Sequence, residues 1–201
     1  MLLFVGWTLW GTGIATHREQ NELFDEYASL PPFKAFAGAP SEPTGPPNSF
    51  KPAPGEGVFS IKIPKIDLDW MVVEGVTDSA LAKGPGHYPN CRPGFEPPLC
   101  TQLPEVWPGE KGRAIISGHR TTHGQPFYDI NELKKGDEIL ITSRWGDFTY
   151  TVTDQQIVSP NQIGIANPGA SKDAEIVLTT CNPRFSAAER LVIFAELTDW
   201  S

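Results

Sequence analysis

The stretch GVFSIKIPKIDLDWMVVEGV, residues 57–76, decides the fold class. Apolar side chains recur through its first half, at Val58, Ile61, Ile63 and Ile66. A turn at Asp67 to Asp69 then leads into the apolar run WMVVEGV. Short apolar runs on either side of a turn are typical of two β-strands, so we expect a β domain to begin at Gly57.

Short apolar runs separated by turn residues continue to the end of the chain. We predict further strands at RAIISGH (113–119), DEILITS (137–143), DFTYTVTDQQIV (147–158), EIVLTTC (175–181) and RLVIFAEL (190–197). Short helices are expected near DSALAKG (78–84) and FYDINEL (127–133). Several strands at hairpin spacing with few helices indicate an all-β barrel or sandwich.

The composition excludes one broad class of function. The chain has 201 residues and a formal net charge of -8. Such a chain offers no basic stripe to neutralise phosphates, so nucleic-acid binding is not expected. We expect no cofactor either.

Residues 1–28 are predicted to be a membrane anchor helix with a polar continuation. The first sixteen residues, MLLFVGWTLWGTGIAT, carry no charge, and HREQNELFDEY follows as a polar helical segment. Sixteen helical residues span about 24 Å, slightly less than a hydrocarbon core of about 30 Å. A cleaved signal peptide is the main alternative, although no basic segment precedes the apolar run, and a buried core helix is another.

Residues 29–56 are predicted to be a Pro-rich spacer, which leaves 57–201 as the folded domain. The segment holds eight prolines and no periodic apolar pattern. It is therefore expected to bury too little surface to offset its ordering entropy. A Pro-rich recognition motif is the alternative, but the segment lacks a PxxP with basic residues.

Three side chains that suit acyl-transfer chemistry stand at predicted strand ends. EIVLTTCNP runs an apolar strand into Cys181, and AIISGHRTTHG ends a second strand just before His119. A neighbouring cation favours the thiolate form of a cysteine. Arg190 begins the strand RLVIFAEL, and it lies across a hairpin from Cys181 if the last two strands pair antiparallel. There it can donate to a carbonyl oxygen that gains negative charge.

The contexts LTTCNP, SGHR and AERLVIF together resemble the sortase family of cell-surface cysteine transpeptidases, over roughly residues 57–200. The patterns GHRTTxGxPF and TTCxP are most similar to class E sortases of actinobacteria. The resemblance implies a sortase-type closed barrel of about eight strands with short helices, preceded by an N-terminal helix. It also implies that Cys181 is the nucleophile, His119 the acid or base, and Arg190 the oxyanion-stabilising or substrate-positioning group. Arg184, in the turn, is the local alternative to Arg190.

The implied reaction is acyl transfer at the cell surface. The thiolate attacks the Thr carbonyl of an LPXTG- or LAXTG-type sorting motif, and an amine from a cell-wall lipid intermediate or a pilin lysine then accepts the acyl group. We therefore expect a single-pass plasma-membrane protein with its catalytic domain, residues 57–201, on the extracellular face. A cysteine hydrolase and a non-catalytic surface binding module on the same barrel are the alternatives.

Six residues near His119 and Cys181 are candidates for lining the peptide groove: Thr121, Thr122, His123, Thr179, Thr180 and Asn182. Ordinary strand threonine is the alternative for Thr121, Thr122, Thr179 and Thr180, because threonine favours strands in any case.

A zinc site made from Cys181 and the domain's histidines is a further alternative. The spacing of His87, His119 and His123 fits no compact ligand motif, so no metal is expected.

Cys91 and Cys100 bracket the Pro-rich loop CRPGFEPPLC. A disulfide between them is the simplest account, and an extracytoplasmic location permits it. A bond from either residue to Cys181 is the less favoured alternative, because a nearer partner exists. The loop belongs to a segment that is longer than the usual sortase pattern.

Overall fold

The structure is a computed structural model, and it describes residues 12–33, 42–162, 164 and 167–201. The strands are β1 (Gly57–Ile63), β2 (Leu68–Glu74), β3 (Gly86–His87), β4 (Gly112–Ser117), β5 (Glu138–Ser143), β6 (Gly146–Val158), β7 (Ala174–Asn182) and β8 (Glu189–Trp200). The α-helices are α1 (Thr12–Ser29) and α2 (Asp78–Leu81), and short 3-10 turns lie at Pro64–Ile66, Ile130–Glu132 and Pro168–Ala170.

The strands close into one barrel in the order β1-β2-β3-β4-β7-β8-β6-β5. Strand β5 pairs with β1 to complete the closure. Strands β2 and β3 pair in parallel, as do β4 and β7, and all other adjacent strands pair antiparallel. The prediction of an all-β closed barrel of about eight strands, preceded by a helix, is confirmed.

The barrel interior is filled by one face of each long strand. Ile61 and Ile63 of β1 and Ile139 and Ile141 of β5 are at most 1% exposed, as alternation predicts. Some polar atoms that enter this core are satisfied by backbone groups. The hydroxyl of Tyr150, for example, accepts a hydrogen bond from the Gly109 amide at 2.9 Å.

Helix α1 packs on the outside of the barrel through both apolar and polar contacts. Leu23 lies among Met71, Val73 and Ala80 in a small separate cluster. The buried side chain of Gln20 accepts from the Met71 amide at 2.7 Å and donates to the Met71 and Lys83 carbonyls at 3.0 and 2.8 Å. The polar continuation predicted after the apolar run is therefore bound to the domain.

The predicted anchor falls partly on residues 1–11, which lie outside the described residues. Among the described residues, none of the helices is both long enough and apolar enough to cross a bilayer.

The described parts of the predicted spacer lie against the barrel. Phe33 and Phe50 pack on the main core, with their ring centroids 5.4 Å apart, and the ring of Phe50 lies 5.2 Å from that of Trp107. These two aromatic side chains therefore bury apolar surface against the barrel, which the proline-rich composition of the segment did not indicate. Residues 34–41 of the spacer lie outside the described residues.

Candidate active site

Strands β4, β7 and β8 are adjacent in the barrel, and their register positions the three predicted catalytic residues. Cys181 on β7 is directly opposite Arg190 on β8. Ser117, the last residue of β4, is opposite Thr179 in the parallel pair of β4 with β7. The alignment of this segment with β7 continues to the residue after β4, because the Gly118 amide donates to the Thr179 carbonyl at 3.0 Å.

His119 follows two residues after Ser117, just as Cys181 follows two residues after Thr179. Neighbouring strands are about 4.8 Å apart, so residues in register lie side by side. Cys181 is in register with Arg190, and continuing the β4–β7 register by two residues would align His119 with Cys181, so we infer that the three residues form one row across three adjacent segments.

Cys181 and Arg190 lie on the outer face of the barrel wall. Ile176 and Leu178 of β7 face the main core, whereas Val177 joins Val192 and Phe194 of β8 in a separate outer cluster. Side chains alternate along a strand, so Cys181 shares the face of Val177. The thiol is unpaired and half-buried. It is accordingly not enclosed in the barrel interior.

The His119 imidazole is held by its loop and by a second ring. Its ring stacks on that of His123, with centroids 4.7 Å apart and planes 27° apart. Its Nε2 atom is buried without a hydrogen-bond partner among the described residues. Burial lowers the pKa of His119, the charge on His123 lowers it further, and Asp78 acts in the opposite sense. Neutral imidazole is therefore favoured, which suits a proton acceptor.

The two arginines near the β7–β8 turn differ in their partners. Arg190 donates from Nη1 to the carbonyls of Ala187 and Glu189 at 3.0 and 2.9 Å. Arg184 instead pairs with Asp129 at 2.6 Å, and its guanidinium lies 3.9 Å from the centroid of the Tyr128 ring. Of the two, Arg190 is the one in register with Cys181.

The threonines that precede Cys181 bind neighbouring strands to each other. Thr180 is buried, and its hydroxyl donates to the Gly118 carbonyl at 2.6 Å. The Thr179 hydroxyl is 2.8 Å from that of Ser117. The buried Thr180 hydroxyl is therefore turned away from any peptide on the outer face.

Of the remaining groove candidates, Thr121, Thr122 and His123 lie in the loop after β4, and Asn182 is the last residue of β7. Thr121, Thr122 and His123 are half-buried and follow His119. Asn182 donates to Glu189 at 2.8 Å and accepts from Arg120 at 3.0 Å.

Arg120 is a site residue to which the sequence patterns assigned no role. It directly follows His119, it is only 5% exposed, and it donates to the carbonyl of Cys181 at 3.3 Å. Its position in SGHR was the only available signal, because the burial of a charged side chain is not visible in a sequence.

A buried charge cluster joins the segment that contains the 91–100 loop to the barrel. Arg92 donates to Glu74 at 2.7 Å and to Glu105 at 2.8 Å, and His87 Nδ1 lies 2.9 Å from Glu74. Burial would lower the pKa of His87, but the adjacent Glu74 carboxylate raises it above its ordinary value. Burial also raises the pKa of Glu74, against the opposing effect of His87.

This cluster also bears on the zinc alternative. The potential ligand atoms of Glu74, His87 and Glu105 all lie within 4.8 Å of one another. Arg92 already supplies positive charge between the two carboxylates. Because His87 is fully buried and stacks on Trp107 of the interior, it lies on the opposite side of the barrel wall from Cys181.

The Cys91–Cys100 disulfide is present, with Cys181 left as the free thiol. This confirms the predicted pairing and removes the alternative bond to Cys181.

The family model described as the sortase domain matches residues 61–198. The chain belongs to the sortase family. The protein is 31% identical to sortase SrtE1 of Streptomyces coelicolor, over 99% of this chain and 53% of the relative. It is 32% identical to sortase D of Bacillus subtilis, over 81% of this chain and 79% of the relative. This sortase thus spans about half the length of SrtE1.

Solved structures agree with this assignment. Sortase E1 from Streptomyces coelicolor, with a tripeptide in the active site, matches with a TM-score of 0.62 and 30% identity, covering 74% of this chain and 91% of that one. A Clostridium perfringens sortase D5 transpeptidase matches with a TM-score of 0.61 and 28% identity, over 74% and 83% of the two chains. The predicted resemblance to sortases, and to class E sortases among them, is confirmed.

Proposed function

We propose that this sortase is a cysteine transpeptidase that cleaves an LAXTG- or LPXTG-type sorting motif after Thr and transfers the acyl group to an amine. The observation that supports this proposal is the strand register, which pairs Cys181 with Arg190 and ends β4 two residues before His119, level with the strand that carries Cys181. This arrangement offers a nucleophile, a proton carrier and a cation side by side, at a surface where an extended peptide can lie.

In the acylation step, neutral His119 accepts the proton of the Cys181 thiol as the sulfur attacks the Thr carbonyl carbon. The new C–S bond forms, and the carbonyl electron pair moves to oxygen, where the Arg190 guanidinium stabilises the negative charge. The intermediate then collapses and the C–N bond breaks. The leaving amine takes the proton from His119, which leaves a thioester on Cys181.

Transfer reverses these steps with a different amine. The incoming amine attacks the thioester carbonyl and loses a proton to His119, and the departing Cys181 sulfur recovers it. The product is a new amide rather than a free acid. A lipid-linked cell-wall precursor or a pilin lysine is the proposed acceptor, and sorting-signal peptides of surface proteins are the proposed donors.

The proposed location is the plasma membrane, with residues 1–28 as a single-pass anchor, residues 29–56 as the spacer and residues 57–201 as an extracellular catalytic domain. Two features support it. The first sixteen residues carry no charge, and the Cys91–Cys100 bond suits an oxidising compartment.

The central test compares Cys181→Ala with wild type on fluorogenic LAXTG and LPXTG peptides. Loss of the nucleophile should reduce kcat by at least about a thousandfold. The double variant Cys91→Ala/Cys100→Ala also removes cysteines but retains the free thiol. Assayed below its own unfolding midpoint, it should still cleave. Turnover by Cys181→Ala equal to that of wild type would refute the thiol mechanism.

An amine trap separates the transpeptidase from the hydrolase and from the binding module. With triglycine or diaminopimelate added, mass spectrometry should detect a ligated peptide. Release of free acid alone identifies a hydrolase, and peptide binding without cleavage identifies a non-catalytic module.

Arg190 has a matched control in the same turn. Arg190→Ala should lower kcat by about a hundredfold or more, as does loss of one oxyanion donor. Arg184→Ala, which removes a cation bound to Asp129, should change kcat by less than about threefold. The opposite order of effects would move the oxyanion role to Arg184.

A further inference from the structure

Arg120 is a buried cation at the base of the candidate site. It donates from Nε to the Tyr128 carbonyl at 3.1 Å and from Nη2 to the Asn131 side chain at 2.7 Å. From Nη1 it donates to the Cys181 carbonyl at 3.3 Å and to Asn182 Oδ1 at 3.0 Å. One planar group thus binds two separate segments of the chain.

Burying this cation carries an energetic cost. None of the four acceptors is a carboxylate, although charged groups that include Asp129 face it. Burial lowers the pKa of Arg120, and the nearby Arg184 cation acts in the same direction. The planar guanidinium fork of an arginine can reach acceptors on both segments at once, which the single ammonium group of a lysine cannot do in the same geometry.

We propose that Arg120 is a positioning residue that holds the Cys181 main chain in place relative to His119. This inference rests on the proposed function of the site. Arg120 is joined to His119 by a peptide bond and to the Cys181 carbonyl by a hydrogen bond. It therefore connects the residue that carries the imidazole to the main chain of the nucleophile through one side chain.

The bond to Asn182 extends this coupling into the β7–β8 turn. Asn182 also donates to Glu189, the residue just before Arg190. A continuous chain of contacts therefore leads from His119 to the other two members of the row. The catalytic distance between sulfur and imidazole depends on this chain, because small displacements of reacting groups carry large rate costs.

Arg184 provides a matched control for Arg120. It shares two of the acceptors, the Tyr128 carbonyl and the Asn131 side chain, at 3.2 and 3.3 Å. Its other bond goes to Asp129 rather than to the nucleophile strand. The two arginines thus support the same loop, and only Arg120 contacts Cys181 and Asn182.

The experiment compares Arg120→Gln, Arg120→Lys and Arg184→Gln with wild type in three measurements. The first is kcat and KM for the fluorogenic peptide. The second is the rate of Cys181 alkylation by iodoacetamide without substrate, which is specific because the other two cysteines are bonded. The third is the thermal unfolding midpoint.

Arg120→Gln should lower kcat by about 10-fold to 100-fold while KM changes by less than about twofold. Its alkylation rate should also fall, because a cation near the thiolate is lost. Arg120→Lys retains the charge but not the fork. It should recover the alkylation rate without recovering kcat. Arg184→Gln should leave both rates within about threefold of wild type.

Three outcomes overturn the proposal. Equal loss of kcat in Arg120→Gln and Arg184→Gln assigns Arg120 to general support of the loop. Full activity in Arg120→Lys shows that charge alone is needed, and a rise in KM at constant kcat shows a role in substrate binding. If Arg120→Gln does not fold, Arg120→Lys and Asn182→Ala are compared with wild type in the same three measurements, and these decide whether Arg120 positions Cys181 or only supports the loop. If wild type cleaves no peptide, the proposed function fails, while alkylation still reports on Arg120.

Discussion

Replacing Gly124 with alanine should displace the loop that carries His119. Gly124 has a φ of +73°, and an added Cβ would lie 2.5 Å from Trp70 Cη2 and 3.5 Å from Thr16 Cγ2. The first distance is far shorter than a van der Waals contact. Because Trp70 is only 9% exposed, its ring has little room to move, and the loop must yield by about 1 Å.

The expected magnitude has two parts. A left-handed conformation costs a non-glycine residue about 1 to 2 kcal/mol. A displacement of about 1 Å near a catalytic group lowers the rate by up to about a hundredfold, which corresponds to about 2.7 kcal/mol in activation free energy. We therefore expect kcat/KM of Gly124→Ala to fall by about 10-fold to 100-fold.

Gly136→Ala separates these two parts. Gly136 has a φ of +96°, and nothing lies within 4 Å of its added Cβ. Both variants should lose similar stability in urea unfolding, but only Gly124→Ala should lose peptide cleavage. Adding Trp70→Phe removes the obstructing atom, so it should restore part of the activity. Equal activities for the two glycine variants would refute a steric role of Trp70 in placing the loop.

Three further predictions concern the pH dependence and the stability of the domain. His123→Phe keeps a ring beside His119 but removes its charge, so the pKa of His119 should rise and the acidic limb of the kcat/KM profile should move to higher pH. An unchanged profile would argue against coupling of the two rings. Gln20→Ala removes the side-chain partner of the Met71 amide and of the Met71 and Lys83 carbonyls. It should lower the free energy of unfolding by about 2 to 4 kcal/mol in urea titrations. A loss below about 0.5 kcal/mol would contradict this account. Arg92→Met leaves two buried carboxylates facing each other and should cost about 3 to 5 kcal/mol at pH 8. The pKa of Glu74 is already raised by burial, so protonation should reduce the loss at pH 5, and a loss that grows in acid would be inconsistent with this origin.

Most of the barrel could be predicted from the sequence because its strands are long enough to show periodicity. Strands β1, β2 and β4 to β8 all coincide with predicted apolar runs. Strand β3 was not predicted, because a strand of two residues, Gly86 and His87, is too short to show a periodic pattern. The helix expected near residues 127–133 is only the 3-10 turn Ile130–Glu132, since tertiary contacts outweigh local propensity in so short a segment.

The candidate site was predictable as a set of residues but not as a network. Cys181, His119 and Arg190 each stand beside recognisable flanks, Cys181 is in register with Arg190, and β4 ends two residues before His119. Partners separated by many residues leave no local pattern, and the Arg120 bond to Cys181 spans 61 positions. The same reason conceals the contacts of the spacer aromatics and of Arg92 with the barrel.

Thr179 and Thr180 help to fix the register between β4 and β7. The alignment of His119 with Cys181 depends on that register. Parallel strands that slip by one residue exchange their two faces, which would carry Cys181 to the interior of the barrel. Thr180 binds the Gly118 carbonyl on one side of the β4–β7 pair, and Thr179 binds Ser117 on the other. Both contacts lie at the end of the β4–β7 ladder, within two residues of Cys181 and His119. The two hydroxyls therefore fix the alignment at the point where an error would separate the thiol from the imidazole.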